Sequence, residues 1–315
     1  MTVLAETQHF AGSPEWTWYI LFYFFLAGLA GGSYFLATVL RHWGTPGDEQ
    51  VARLGFYVAF PLTLVCPVLL TLDLTKPLRF WHMLVNTTPG DAGLNLKYES
   101  PMSVGVWALV VFSLFAFVSF VDALARDGRI RHPLAGRLAA LLEGGVGRAW
   151  NVVGAAFGLF IAGYTGVLLA VSNQPVWSDS WALGGLFLAS GLTGSAALLL
   201  LLRRYRRGAE SSRGVLEISE RLFAALEVLV LVVFALTLID DRTLDEAFAF
   251  PWLLLWLVAL AGMLPGIRGL VGDRLRVAPG EAVGVERVPS WVVAPTLVLV
   301  GVLALRAAVI FSAQA

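Results

Sequence analysis

The sequence predicts an all-α polytopic membrane protein of eight transmembrane helices, grouped as two four-helix bundles. Three observations predict it. Of 315 residues, 58% are hydrophobic and only 14% charged, with a mean hydropathy of +0.76; a soluble domain is about half apolar and about a quarter charged. The apolar residues come in blocks that reach about 20 residues, the length that crosses a hydrocarbon core of about 30 Å. Leu198–Leu202 is five consecutive leucines, and Val228–Leu236 contains no polar side chain. The arginines, finally, gather in alternate connections. A soluble globular enzyme and a disordered scaffold are both excluded. The net charge is zero, 22 basic against 22 acidic residues, so no global field attracts nucleic acid.

The elements follow in order. Residues 1–16 carry no Lys or Arg, so the basic start of a secretory signal is missing and the first apolar run, 17–41, is expected to span. The turn Thr45-Pro46-Gly47-Asp48 separates it from a second helix over 51–73. A third, over 102–125, opens with Ser100 as N-cap and Pro101 at the first helical position. Residues 130–148 mix Leu138, Leu141 and Leu142 with Arg137, Glu143 and Arg148; a short interfacial helix and a solvated loop both fit. Further helices are expected over 149–171, 181–203, 217–239, 250–270 and 291–312, the last preceded by the turn Ala278-Pro279-Gly280. The halves divide as 1–172 and 173–315.

Orientation follows from the cations. The connections after the first, third, fifth and seventh helices hold sixteen arginines; the opposite side holds only Lys76, Arg79, Lys97 and Arg242. The positive-inside rule then puts both termini outside, on the periplasmic face of a bacterial inner membrane. A repeat agrees with this count: Gly28-Leu29-Ala30-Gly31 in the first helix matches Gly191-Leu192-Thr193-Gly194 in the fifth, and Leu70–Asp73 matches Leu236–Asp240.

Cofactor chemistry within the chain is restricted. Cys66 is the only cysteine, so the chain forms no intrachain disulfide and no four-thiolate iron–sulfur cluster. His9, His42, His82 and His132 fall in the leader, near helix ends or in loops, and no facing pair is expected to hold a haem. No metal site is expected either.

Chemistry-bearing residues collect at one level. Asp73 ends the second helix, and the loop after it, Asp73-Leu74-Thr75-Lys76-Pro77-Leu78-Arg79-Phe80-Trp81-His82, packs an acid, two cations, a histidine and two aromatics against an outer helix end. An aromatic belt with snorkelling cations explains part of this. Tyr164 lies five to seven residues below the outer end of the fourth helix, roughly 10 Å deep, and Tyr23 in the first helix reaches a similar depth. Two phenols, a carboxylate and a basic loop at one level suit a quinone headgroup, which needs donors for two oxygens, a proton-exchanging group and an apolar slot. The small-residue cluster Gly28, Ala30, Gly31, Gly32 and Ser33 lets helices approach closely and could also leave room for a flat ring. In the second half, Glu227 and Arg306 are intramembrane charges, and a structural pair and a proton relay both fit. Asp122, Asp240 and Asp241 sit at helix ends, where solvated carboxylates are ordinary.

Four stretches resemble the integral membrane subunit of polysulfide-reductase-type complexes, the NrfD/PsrC family: Phe25–Gly32, Asp73–Trp81, Ser100–Trp107, and Tyr164–Ala170 through Pro175-Val176-Trp177. Leu188–Gly194 extends the likeness into the second half. The resemblance implies a quinone-reactive anchor that exchanges electrons between menaquinol or ubiquinol and a ferredoxin-like iron–sulfur subunit on the outer face. That subunit is in turn coupled to a molybdopterin catalytic subunit. It further implies a quinone site in the first four helices. By position, Tyr164 matches a quinone-contacting tyrosine and Asp73 an acidic position ending the second helix. Together with the polar residues of the outer layer, the expected set is Asp73 and Tyr164 for catalysis, and Tyr23, Gly28, Lys76, Arg79, His82, Ser103 and Tyr164 for quinone binding. One departure stands out: where the best-known member carries Asn and His on the first helix, this sequence has Ile20 and Tyr23. Apart from those subunits, only membrane lipid is expected as a partner, and any oxidoreductase activity belongs to the assembled complex. A secondary transporter using Glu227 and a purely structural anchor are the competing functions. Against the transporter, the repeats read as parallel and the densest polar cluster lies at one face.

Overall fold

The computed structural model describes residues 15–90, 92–272 and 290–314. The expected leader with His9, the arginines Arg274, Arg276 and Arg287, and the turn Ala278-Pro279-Gly280 lie outside the described residues. The helices are α1 (Trp18–Trp43), α2 (Glu49–Asp73), α3 (Pro101–Arg126), α4 (Pro133–Leu141), α5 (Gly144–Ala170), α6 (Leu183–Leu202), α7 (Arg213–Asp240), α8 (Leu244–Ala247), α9 (Trp252–Gly272) and α10 (Ser290–Ser312). Seven are long and apolar enough to cross a bilayer: α1, α2, α3, α5, α6, α7 and α10. In α9, which carries Pro265, the apolar stretch Trp252–Arg268 is shorter, about 25 Å at 1.5 Å per residue. The chain is a multi-pass, all-α membrane protein.

Two helices begin earlier than the apolar runs. Gly144 and Arg213 open α5 and α7 with polar or glycine-rich first turns, which backbone hydrogen bonding includes although their side chains carry no apolar signal. Residues 133–141 form the helical alternative for the connection after α3, with Nδ1 of His132 accepting from the main-chain N–H of Leu134. Pro101 opens α3 and the Ser100 side chain accepts from the Ser103 N–H.

The central helix is α1, buried on nearly every side because it packs on α2, α5, α6 and α10. Its glycines make this possible: a Cβ at Gly31 would overlap the main-chain carbonyl of Gly158 in α5. The repeated Gly-Leu-x-Gly strings meet one another, Gly28 against Gly191 at the α1–α6 crossing. Helices α2 and α3 pack together and α3 leans on α5, while α6, α7, α9 and α10 pack in sequence on the other side of α1. A buried polar chain joins α1, α3 and α5: Tyr34 to Ser119 at 2.7 Å, Ser119 to Asn151 at 3.2 Å, and Asn151 to His42 at 3.0 Å.

A cluster of paired arginines marks one end. Arg41 pairs with Glu49 at 3.0 Å and Asp122 at 2.7 Å, Arg126 with Asp122 at 2.7 Å, Arg53 with Glu49 and Asp127, and Arg206 with Asp127 at 2.6 Å. Asp122 is thus not a solvated end carboxylate. It is 1% exposed and held by two guanidiniums, because α1 brings Arg41 against α3. At the opposite end, both ends of the described chain meet, Trp16 N–H donating to Oε1 of Gln314 at 2.7 Å. Asp73 lies at that end too.

Candidate functional site

At the end away from the arginines, α1, α2, α3 and α5 enclose a cavity of about 130 Å³. Asp73, Tyr23 and Tyr164 all line it. Each arrives by simple helix geometry: α2 terminates in Asp73, α1 presents Tyr23 beside Ile20 and Phe24, and α5 carries Tyr164 a turn and a half before its end at Ala170. Leu70, Leu109, Val106 and Leu168 supply apolar walls, with Met83 and Met102 nearer the helix ends. A chamber that is mostly apolar with few convergent polar groups is the usual form of a small-molecule site.

Tyr164 is the most constrained of the three. Its hydroxyl donates to the main-chain carbonyl of Pro101. A Cβ at Gly105 would overlap the phenol ring, and Phe160 stacks on it at 5.6 Å. The same tyrosine also lines a second depression of about 500 Å³ with Pro101, Val104, Phe160, Trp181 and Leu188. It therefore forms a wall shared by the small chamber and an open apolar groove beside it. Asp73 is partly exposed and accepts from the Thr17 hydroxyl at 3.4 Å.

Five of the expected binding residues do not line the chamber. Lys76 and Arg79 are exposed, and the segment Pro77–Met83 is a 3₁₀ helix. With three residues per turn, Arg79 and His82 fall on one row while Met83 falls on another, and it is Met83 that lines the cavity. His82 instead stacks on Trp81 at 3.8 Å and faces the Thr87 hydroxyl. Ser103 accepts from the Lys97 N–H at 3.0 Å and donates to the Asn95 carbonyl at 3.1 Å, fastening the preceding loop. Gly28 faces away: a Cβ there would come 2.6 Å from Nη2 of Arg306 and 3.4 Å from Cα of Gly191. Its smallness serves the crossing with α6.

Glu227 and Arg306 are both buried, 1% and 0% exposed, but they form no direct ion pair. Arg306 gives Nη1 to Ser190 at 2.9 Å and Nη2 to the Phe187 carbonyl at 3.0 Å, with its guanidinium over the Phe187 ring. Oε2 of Glu227 and Nε of Arg306 have no hydrogen-bond partner among the described residues.

Sequence reading missed Trp16, Met83, Met102 and Gly105. Of these, only Gly105 had a local signal, its position one helical turn after Pro101. Trp16 reaches the cavity because it packs on Phe24 and stacks on Trp177 at 5.0 Å, a long-range arrangement.

Comparison with known proteins adds an independent line. The family model "Polysulphide reductase, NrfD" matches residues 6–315. The C chain of polysulfide reductase from Wolinella succinogenes is 29% identical over 59% of this chain and 57% of its own length. The C subunit of selenate reductase from Mesobacillus selenatarsenatis is 27% identical over 32% of this chain and 21% of its own length. Protein NrfD of Escherichia coli is 25% identical over 96% of both chains. The protein therefore spans less than two thirds of the first two relatives and nearly all of the third.

Proposed function

The chain belongs to the polysulphide reductase NrfD family, and on that premise we propose that it is the quinone-reactive membrane subunit of a respiratory oxidoreductase complex. The observation that carries the reading is the single chamber lined by Tyr23, Asp73 and Tyr164. A menaquinone or ubiquinone supplies exchange of two electrons and two protons. Tyr164 and Tyr23 offer hydroxyls to the ring oxygens, Tyr164 by turning from the Pro101 carbonyl. Asp73, at the mouth of the chamber, passes protons to the surface. The leucines, valine and methionines keep the ring dry, and the groove beyond Tyr164 suits an isoprenoid tail.

The partners follow from the same end of the molecule. The loop between α2 and α3 exposes Leu78, Phe80, Trp81, Leu94 and Tyr98, an apolar surface suited to a ferredoxin-like iron–sulfur subunit, with a molybdopterin catalytic subunit beyond it. The cation count supports placing this face and both termini outside the inner membrane with α9 as an eighth span, and the Gly-Leu-x-Gly repeat supports a division at residues 172 and 173. A second reading attaches to Glu227, whose unpartnered oxygen suits a proton relay with Arg306.

Extraction of the purified native complex tests the proposal. It should release quinone, and a quinone-site inhibitor should bind with an affinity that depends on Tyr164 and Asp73. A complex that carries iron–sulfur protein but neither quinone nor inhibitor would leave only the structural anchor.

A further inference from the structure

At the arginine-rich end, a groove of about 340 Å³ runs between α2, α3 and the end of α6. Leu54, Phe120, Leu124 and Leu202 form its apolar walls, and Tyr57, Arg129 and Arg206 its polar end. Both guanidiniums lie over the Tyr57 ring, Arg206 at 5.2 Å and Arg129 at 5.6 Å from its centre.

Charge here is unbalanced. Asp127 is fully engaged, accepting from Tyr57 at 2.7 Å, Arg53 at 2.8 Å and Arg206 at 2.6 Å. Glu49 and Asp122 are likewise taken by Arg41, Arg53 and Arg126. Five arginines thus face three carboxylates across this cluster, an excess of two positive charges. Arg129 is exposed and has no carboxylate within 4 Å and no side-chain hydrogen bond among the described residues. Its guanidinium is held by the ring alone and keeps all its donors available.

The groove also has the right depth for a lipid headgroup. Arg129 follows the end of α3 by three residues and Arg206 follows the 3₁₀ turn that closes α6, so the cations stand at the boundary of the hydrocarbon region and the apolar walls run into it. We propose that this groove is a specific binding site for an anionic diacyl phospholipid, its phosphodiester on Arg129 and Arg206 and an acyl chain along Leu54, Phe120 and Leu202. Basic pockets between membrane helices are suited to such headgroups. The site is independent of the quinone reading and lies at the opposite end of the molecule.

Native mass spectrometry of the purified full-length protein in detergent, titrated with phosphatidylglycerol or phosphatidylcholine, tests it. Wild type should retain phosphatidylglycerol in preference to phosphatidylcholine. Arg129→Gln should weaken phosphatidylglycerol binding about fivefold, which corresponds to the ~1 kcal/mol that one basic side chain contributes at a membrane surface, and should leave phosphatidylcholine unchanged. Arg129→Lys, which keeps the charge, should retain most of the binding. Arg131→Gln, outside the groove, should retain all of it, and millimolar inorganic phosphate should not displace the lipid. Equal retention of both lipids, equal loss in Arg131→Gln, or displacement by phosphate would each overturn the proposal.

Discussion

The hydroxyl of Tyr164 donates to the main-chain carbonyl of Pro101, so the first residue of one transmembrane helix fixes the side chain that walls the cavity from another. Gly105 completes the arrangement, because the ring occupies the space a Cβ would take. Two substitutions separate these contributions. Tyr164→Phe keeps the ring and deletes one hydrogen bond, worth about 0.5–1.5 kcal/mol net; inhibitor affinity should fall roughly two- to twelvefold with the fold unchanged. Gly105→Ala drives a methyl into the ring, an overpacking that costs about 1–3 kcal/mol. It should weaken the inhibitor at least as much, by displacing the ring. Wild-type titrations for both variants would remove Tyr164 from the site.

Among the described residues, Asp73 is the only carboxylate in the chamber lining. Asp73→Asn preserves its size and its contact with Thr17 while removing proton exchange. Quinol-linked turnover of the assembled complex should drop at least tenfold, a barrier increase of about 1.4 kcal/mol, with subunit stoichiometry unaltered. Near-normal turnover in a correctly assembled variant would exclude the carboxylate from proton transfer.

Much of this layer was legible because depth along a helix is a counting problem. Each residue adds 1.5 Å, so Tyr23, Asp73 and Tyr164 could be assigned to one level from helix ends alone. Direction around the axis was less legible. Gly28 shares the central helix with Tyr23 but faces α6, and the sequence of α1 is apolar on every side, so no polar face reports its orientation. Lys76, Arg79 and His82 were expected to bind because of their proximity in sequence to Asp73; their facing depends on the 3₁₀ winding of Pro77–Met83. The pairs of Asp122 with Arg41 and of Asp127 with Arg53 and Arg206 join residues 74 to 81 apart, which charge placement along the sequence cannot pair.

Topology is directly testable. The structure groups both ends of the described chain with the α2–α3 loop and the arginine cluster of Arg41, Arg53, Arg126 and Arg206 at the other end, and the cation count assigns the first group to the outside. A cysteine at the highly exposed Leu78 should react with a membrane-impermeant thiol reagent in intact cells. One at Arg207 should react only after the membrane is opened. The reverse pattern would invert the assignment.

Arg306 distinguishes packing from proton relay in the second half. Its guanidinium occupies the gap left by Gly28 and bonds Ser190 and the Phe187 carbonyl. Arg306→Leu removes two buried charge-assisted hydrogen bonds, worth about 1.5–3 kcal/mol each. Membrane yield should collapse. Glu227→Gln keeps shape and hydrogen-bonding capacity, so yield should hold. If Glu227 relays protons, turnover-linked proton release falls in that variant while inhibitor binding is unchanged; an unaltered proton yield would leave Glu227 a structural residue.

The last expectation concerns pH at the arginine-rich end. Burial favours the neutral form of Asp127, but hydrogen bonds from Arg53, Tyr57 and Arg206 outweigh it and hold the carboxyl below its usual range. A depressed folded-state value means the ionised form is preferred by the native protein. Its contribution is therefore complete above the unfolded value of about 3.9 and disappears as the pH falls through the lower folded value. Asp127→Asn should thus lower the thermal midpoint in detergent at pH 7, since the Arg53 and Arg206 guanidiniums then meet a neutral acceptor and hydrogen bonds worth about 1.5–3 kcal/mol each are weakened. The gap between wild type and variant should persist to about pH 4 and narrow steadily below it, as wild-type Asp127 takes up its proton. Because the other carboxylates are shared by both proteins, the difference between the two curves, and not either curve alone, reports this residue. A gap that stays constant from about pH 7 to about pH 3 would show that Asp127 acts by shape and not by charge.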